Sequence, residues 1–192
     1  VLRRSEDAYV DELFERVVDH GAPMIAARFP RAYLDVNREP YELDPELFAE
    51  RLPDFANTRS LRVAGGLGTI ARIVAESEEI YGERLPLDAA FERINRLYRP
   101  YHEHLNGLID RTRQRFGFVV LIDCHSMPSS GADSAVGMRP HFVIGDRFGT
   151  SAAEPVTRAL KGALARAGYD VALNRPYAGG YITEHYGAPA AG

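Results

Sequence analysis

The chain has 192 residues, of which 45% are hydrophobic and 26% are charged, and its formal net charge is −4. These values are ordinary for a globular domain, and the negative charge gives no reason to expect nucleic acid or an anionic membrane as a partner. Cys124 is the only cysteine, which excludes an internal disulfide and a Cys-x-x-Cys metal site. The sequence has no apolar run near the roughly 20 residues of a membrane span and no signal-peptide pattern at its start, so we expect a cytoplasmic protein.

The first part of the chain predicts one helix and one short buried strand. The helix covers residues 5–20, with Ser5 as its N-cap, Gly21 as its stop, and an apolar face made of Val10, Leu13, Phe14, Val17 and Val18. The strand covers residues 24–29. Residues 40–60 are rich in Pro, Asp and Glu, and we expect them to cover the surface.

The middle of the chain predicts a loop, a strand and a long helix. Residues 65–74 read as a loop that enters a second strand. The helix runs from Asp88 to about Arg115, and Pro100 should kink it. Its apolar stripe consists of Phe91, Ile94, Leu97, Tyr98, Tyr101, Leu105, Leu108 and Ile109.

Strands alternate with helices in the remainder. Residues 118–124 are apolar almost throughout, which is typical of a central parallel strand. Strands at 141–146 and 169–174 flank a helix at 152–167. This order predicts one domain over residues 1–192, with a three-layer α/β/α fold and a mixed or mostly parallel central sheet.

His125 directly follows the predicted strand 118–124. Ligands of open α/β sheets bind beyond the carboxyl ends of strands, so His125 could reach a metal ion or a substrate there. Asp123 lies on the same face of the strand and could orient the imidazole. A histidine that only hydrogen-bonds at the end of a strand is the alternative interpretation. No Gly-x-Ser-x-Gly motif surrounds Ser126, which argues against a serine hydrolase.

The segment Asp35-Val-Asn-Arg38 carries groups that bind carboxylates. An arginine can hold a carboxylate with two parallel hydrogen bonds, and an asparagine can add another. Arg31 lies just upstream. We therefore assign Arg31, Asn37 and Arg38 to substrate binding; a turn with a surface salt bridge is the alternative.

Acidic residues at the start of the first predicted helix have two interpretations. Glu6 and Asp7 follow Ser5, and acids in a first helical turn are favoured by the helix dipole alone. A carboxylate at this position could also serve as a metal ligand.

Two further segments concentrate polar side chains. Gly179 and Gly180 let the backbone approach a ligand closely, and Thr183 follows them, so we assign all three to substrate binding; a solvent loop is the alternative. In Tyr101-His-Glu-His104 the histidines are two residues apart and face different directions, unlike those of a zinc HExxH motif. We expect one of these histidines to be solvated and the other to pack at the kink.

Five motifs occur in an order that resembles the N-formylglutamate amidohydrolase family: RAYLDVNR, RPYHEHL, VLIDCHSMPS, IGDRFGTS and NRPYAGGYITEHYG. The resemblance extends from SEDAYVDELF to the end of the chain. It implies a fold related to zinc carboxypeptidases and to the succinylglutamate desuccinylase and aspartoacylase group. It also implies hydrolysis of an amide by water activated at one zinc ion, with a glutamate as general base, and a role in histidine degradation.

Family roles transfer to four positions. The resemblance implies that His125 is a zinc ligand and that Asp7 is the carboxylate ligand, with Glu6 as the fallback. It implies that Asn37 and Arg38 bind the carboxylate of the substrate.

The family's first zinc histidine lies upstream of SED, and its general-base glutamate follows the YG-x-P-x-x-G segment. We therefore expect the chain to lack N- and C-terminal segments of the domain, with two of three zinc ligands present and the catalytic base beyond Gly192. The resemblance implies hydrolysis of N-formyl-L-glutamate to glutamate and formate, and the sequence does not predict an oligomeric state. A deacylase for another small N-acyl amino acid, or a non-catalytic carboxylate-binding protein of the same fold, are the alternatives.

Overall fold

The computed structural model describes residues 5–74, 78–127 and 140–189, which form a mixed α/β protein with two small sheets. Its helices are α1 (Val10–Phe14), α2 (Leu61–Ala64), α3 (Leu87–Arg93), α4 (Arg99–Phe116), α5 (Glu154–Arg166) and α6 (Tyr181–Tyr186), with a 3₁₀ helix at Glu15–His20 and a π-helical segment at Ile94–Tyr98. Its strands are β1 (Ile73–Val74), β2 (Glu78–Glu79), β3 (Phe142–Ile144) and β4 (Val171–Leu173).

The chain divides into two compact units, Val1–Arg111 (unit 1) and Thr112–Gly192 (unit 2). The expectation of a single domain over residues 1–192 stays a prediction. None of the helices in the described ranges combines the length and the apolar character needed to cross a bilayer.

Part of the core of unit 1 comes from residues 40–60, the segment that was expected to cover the surface. Leu43, Leu47 and Phe48 are fully buried, so this expectation for residues 40–60 is wrong for the first part of the segment. One acid among them is also buried and has a close counter-charge: Arg72 Nε lies 2.7 Å from Asp44 Oδ2. Composition indicated a polar segment, whereas its apolar side chains turn inward and Asp44 beside them is paired with Arg72.

The first helix is shorter than predicted. Tyr9 adopts a left-handed conformation with φ 62°, so α1 begins only at Val10 and Ser5 does not cap it. The predicted stop at Gly21 is confirmed, with φ 80°. No residue of the predicted apolar face is buried, and Leu13 is 75% exposed. Residues 24–29 are not a strand, because none of the described segments pairs with them.

The long helix is confirmed. α3, the π-helical segment and α4 run without interruption from Leu87 to Phe116, and no residue of the predicted stripe is exposed. The π-helical segment ends two residues before Pro100. Proline has no N–H for the helical ladder, and a local change of helix geometry is a common way to accommodate it.

Unit 2 contains a parallel β–α–β element. β3 pairs with β4 in the register Phe142↔Val171, Val143↔Ala172 and Ile144↔Leu173, and α5 connects them. The strands predicted at 141–146 and 169–174 and the helix predicted at 152–167 are confirmed, with shorter bounds. β1, predicted at the end of 65–74, is also present and pairs with β2.

The prediction of a buried central strand at 118–124 is wrong. This segment has no regular secondary structure, and Val120 and Ile122 are 46% and 59% exposed. A central parallel strand needs a hydrogen-bonded neighbour on each edge, and none of the described strands pairs with this one. The three-layer α/β/α architecture therefore stays a prediction.

Candidate active site

Asp35 organises a tight turn in unit 1. Its backbone N–H donates to Thr69 O at 2.8 Å, and its Oδ1 accepts a hydrogen bond from the backbone N–H of Asn37 at 2.9 Å. An aspartate that accepts from the N–H two residues ahead forms an Asx turn. This turn presents Asn37 and Arg38 side by side.

The Asp35 carboxylate also gathers two arginines. Its Oδ2 accepts from Arg31 Nε at 2.8 Å and lies 3.6 Å from Arg38 Nε. Arg31 continues to a second carboxylate, with its Nη1 3.3 Å from Asp7 Oδ2. The structure thus brings together Asp7, Arg31, Asn37 and Arg38, four residues that the sequence assigned to the site. Sequence reasoning did not assign a role to Asp35, although an aspartate in a predicted loop is a common first residue of an Asx turn.

Arg38 is held rigidly and is largely removed from water. Its side chain is 15% exposed; its Nε donates to Leu67 O at 3.2 Å and its Nη1 to Asn37 O at 3.0 Å. Burial lowers the pKa of Arg38, while the charge of Asp35 raises it and the charges of Arg31 and Arg62 lower it further. A guanidinium keeps its charge under these conditions. Arg38 is therefore a fixed, partly desolvated cation, which suits recognition of a planar carboxylate.

The structure distinguishes the two candidate carboxylate ligands near the N-terminus. Asp7 is half-buried and contacts Arg31, whereas Glu6 is exposed. This arrangement favours Asp7 over Glu6, because Asp7 shares Arg31 with Asp35.

His125 lies in unit 2, where its Nε2 is 3.0 Å from Asp123 Oδ1. The predicted contact between Asp123 and His125 is therefore present. An imidazole that contacts a carboxylate through one nitrogen commonly binds a metal ion through the other. Asp7 belongs to unit 1, so the pairing of His125 with Asp7 around one zinc ion stays a prediction. Within the described ranges, no three His, Cys, Asp or Glu side chains are grouped as a metal site.

Asp146 organises a second turn, in unit 2. Its carboxylate accepts from Thr157 Oγ1 at 2.9 Å, from Gly149 N at 3.0 Å and from Asn174 Nδ2 at 2.8 Å. Burial by itself raises the pKa of Asp146, but these hydrogen bonds outweigh it, so the pKa lies below its ordinary value. The carboxylate holds Arg147 and Phe148 at φ 52° and 59°, a conformation that costs free energy in non-glycine residues.

The predicted glycine-rich substrate segment lies next to this turn. Arg147 N–H donates to Ala178 O at 2.8 Å, and its guanidinium lies 2.8 Å from Glu184. Gly179 has φ 123°, and a Cβ there would lie 3.1 Å from the side chain of Thr183. Gly180 immediately precedes α6, which contains Thr183. The three residues assigned to substrate binding are thus neighbours at the start of α6, and their contact with substrate stays a prediction.

The family model for N-formylglutamate amidohydrolase matches residues 1–192. The chain belongs to the N-formylglutamate amidohydrolase family. This membership confirms the resemblance carried by the five motifs. The chain is 34% identical to the N-formylglutamate amidohydrolase of Ralstonia eutropha JMP134, whose crystal structure superposes with a TM-score of 0.90 over 99% of this chain and 69% of that one.

Two curated members of the family are N-formylglutamate deformylases. The Pseudomonas putida enzyme is 32% identical over 187 residues, and the Pseudomonas aeruginosa enzyme is 27% identical over 187 residues. These matches cover 96% and 95% of this chain. The chain spans 64% of the length of each of these relatives.

Proposed function

We propose that the intact protein hydrolyses the amide bond of an N-acyl amino acid, with N-formyl-L-glutamate as the substrate and glutamate and formate as the products. The observation that carries this proposal is the guanidinium of Arg38, which is mostly buried and fixed by Asp35, Asn37 and Leu67. Its fork can hold one carboxylate of an acidic amino acid by two hydrogen bonds. The names of the relatives support this substrate.

In this proposal, the residues of the turn and the residues around it have different roles. Arg38 and the adjoining Asn37 bind the carboxylate, and Asp35 fixes the turn that carries both. Binding the substrate in one orientation lowers the entropic part of the barrier to hydrolysis. Arg31 links Asp35 to Asp7, which keeps the two acids within one charge network.

One zinc ion is part of the proposal. The donor chemistry suits it, because zinc accepts an imidazole and a carboxylate oxygen, and His125 is already oriented by Asp123. His125 and Asp7 would hold the ion. When bound, zinc would polarise the amide carbonyl and lower the pKa of water at the site.

Other expectations belong to the same proposal. We retain for the intact protein a three-layer, zinc-peptidase-like fold, a glutamate as the general base and a small N-acyl amino acid as the partner. The cytoplasmic location, the absence of nucleic-acid or membrane partners and the role in histidine degradation stay predictions.

A substrate panel tests the proposal. The intact protein, loaded with zinc, is assayed for release of free glutamate and formate from N-formyl-L-glutamate, with N-acetyl-L-glutamate and N-formyl-L-leucine as comparisons. We expect turnover of the first compound, reduced turnover of the acetyl analogue, and little turnover of the leucine compound, which has no side-chain carboxylate. Binding without turnover would favour the non-catalytic carboxylate-binding alternative. Absence of both binding and turnover would reject the carboxylate site.

A further inference from the structure

Two buried aromatic residues contact the Asn37–Arg38 turn from the long helix. Tyr98 ends the π-helical segment, and His102 lies four residues later in α4. This spacing places both on one face of the helix. Their rings stack with 4.2 Å between centroids and 28° between planes. The prediction that only one of the two neighbouring histidines is solvated is confirmed, since His102 is buried and His104 is exposed.

The two rings bind the backbone on either side of Asn37. Tyr98 OH donates to Arg38 O at 2.7 Å, and His102 Nε2 lies 2.9 Å from Val36 O. A carbonyl oxygen can only accept, so Nε2 of His102 carries the proton in this contact. The hydrogen bonds therefore hold the carbonyls of Val36 and Arg38, the residues before and after Asn37.

Local helix geometry contributes to this placement. The π-helical segment Ile94–Tyr98 adds an extra residue to the turn before α4 and changes the direction of the side chains that follow. Single π-helical turns are frequent at functional sites. Here the π-helical turn ends at Tyr98, whose hydroxyl group donates to the carbonyl of Arg38.

We infer that Tyr98 and His102 are positioning residues that set the orientation of Arg38 toward the carboxylate of the substrate. This inference rests on the proposed function. Asp35 holds the turn through its side chain, and the helix holds it through the carbonyls of Val36 and Arg38. A bidentate carboxylate contact depends on the direction of the guanidinium plane. Loss of the Tyr98 hydroxyl or of the His102 N–H should therefore weaken binding of the carboxylate more than it affects the other functions of the site.

The experiment compares acid and amide substrates. Tyr98→Phe and His102→Leu each remove one donor, and His102→Gln keeps an N–H near the position of Nε2. For each variant, kcat/KM is measured with N-formyl-L-glutamate and with its two carboxamide analogues, N-formyl-L-glutamine and N-formyl-L-isoglutamine. The controls are Tyr41→Phe, whose hydroxyl contacts Arg99 instead, and His104→Gln, on the exposed face of the same helix.

We expect Tyr98→Phe and His102→Leu each to lower the preference for the acid over the amide analogue of the carboxylate that Arg38 binds. The expected change is about three- to tenfold, mainly in KM, because the hydrogen bonds of Arg38 to the carboxylate are weakened and not lost. His102→Gln should restore part of the preference, and both controls should keep it. In an Arg38→Ala background, Tyr98→Phe should have no further effect on the preference, because the two residues act through one contact.

Equal losses on acid and amide substrates, or additive effects in the Arg38→Ala background, would overturn the inference and assign the two rings a structural role. If the wild-type protein binds N-formyl-L-glutamate without turnover, the proposed function fails. The positioning role is then tested by comparing the dissociation constants of the acid and the amides for the same variants. If it binds neither acid nor amide, both fail.

Discussion

Oδ2 of Asp35 lies 3.6 Å from Nε of Arg38, at a side chain that is 8% exposed. The same oxygen accepts from Arg31, so one carboxylate faces two guanidinium groups. Each of these three charges loses hydration when it is buried, so removal of one of them leaves the others without compensation. The geometry of the candidate site and the stability of unit 1 therefore depend on the same few atoms.

Replacing Arg38 by Lys should impair the intact enzyme although the charge is retained. Lysine is a point charge on a flexible stem and cannot reproduce a two-pronged hydrogen bond. We expect kcat/KM for N-formyl-L-glutamate to fall by about ten- to a hundredfold, the equivalent of roughly 1.5–3 kcal/mol. Steady-state kinetics measure the change, and a melting temperature measures folding. Normal kcat/KM with a lowered melting temperature would make Arg38 a structural ion-pair partner only.

Replacing Asp35 by Asn should destabilise the protein and weaken substrate binding. Asn can still accept from the N–H of residue 37, but it leaves Arg31 and Arg38 without their shared counter-charge. Removal of one partner from a buried ion pair costs roughly 3–5 kcal/mol. The measurement is urea unfolding together with KM.

The control for Asp35→Asn is Asp54→Asn. Asp54 pairs with Arg51 at a fully exposed place, where ion pairs contribute little. Equal effects of the two substitutions would show that the buried position of Asp35 does not matter.

Replacing His125 by Ala should remove zinc and activity together, and Asp123→Asn should weaken zinc binding or activity about 10–100-fold, because an oriented imidazole is a better ligand. Metal content and kcat are measured on the same preparations. A chelator should abolish activity in the wild type, and added zinc should restore it. The control is His141→Ala, since His141 is exposed and pairs with Asp170. Full zinc content in His125→Ala would exclude His125 from the ligand set.

Replacing Thr157 by Val should destabilise unit 2 at neutral pH by roughly 1.5–3 kcal/mol, since the hydroxyl donates to the charged Asp146 carboxylate. The pKa of Asp146 is lowered in the folded state. Its contribution to stability is therefore present above the unfolded-state pKa of about 3.9 and is lost as the pH falls through the lower folded-state value.

The difference between wild type and Thr157→Val should accordingly shrink when the pH is taken below the folded-state pKa of Asp146. Unfolding by urea at pH 7 and at progressively lower pH measures it. Thr150→Val is the control, because the hydroxyl of Thr150 donates to a backbone carbonyl that does not titrate. A difference that stays constant down to complete protonation would contradict the role given to the carboxylate.

Replacing Gly68 by Ala should destabilise unit 1. A Cβ at residue 68 would lie 2.3 Å from Glu42 O, a backbone atom that also accepts from Thr69 N. Relief requires movement of the chain, which typically costs about 1–3 kcal/mol. The comparison is Gly82→Ala, where a Cβ meets nothing within 4 Å. Thermal unfolding of both variants tests this, and equal melting temperatures would contradict it.

Part of the site could be predicted because its residues are close in sequence. The carboxylate-binding turn lies within Asp35–Arg38, and Arg31 is four residues upstream, so local spacing was enough to group them. The roles of Tyr98 and His102 could not be predicted in this way. Tyr98 is 60 residues from the carbonyl that it binds, and His102 is 66 residues from its own.

The sequence by itself determined the family, the apolar stripe of the long helix and the β–α–β element of unit 2, because motif order and side-chain periodicity are properties of local sequence. Only the tertiary structure decided which apolar segments are covered. Leu43 and Phe48 are buried within an acidic segment, whereas the more apolar residues 118–124 are largely exposed. Burial depends on neighbours that are distant in sequence and on charge pairs such as Arg72 with Asp44, and hydrophobicity along the chain does not report either of them.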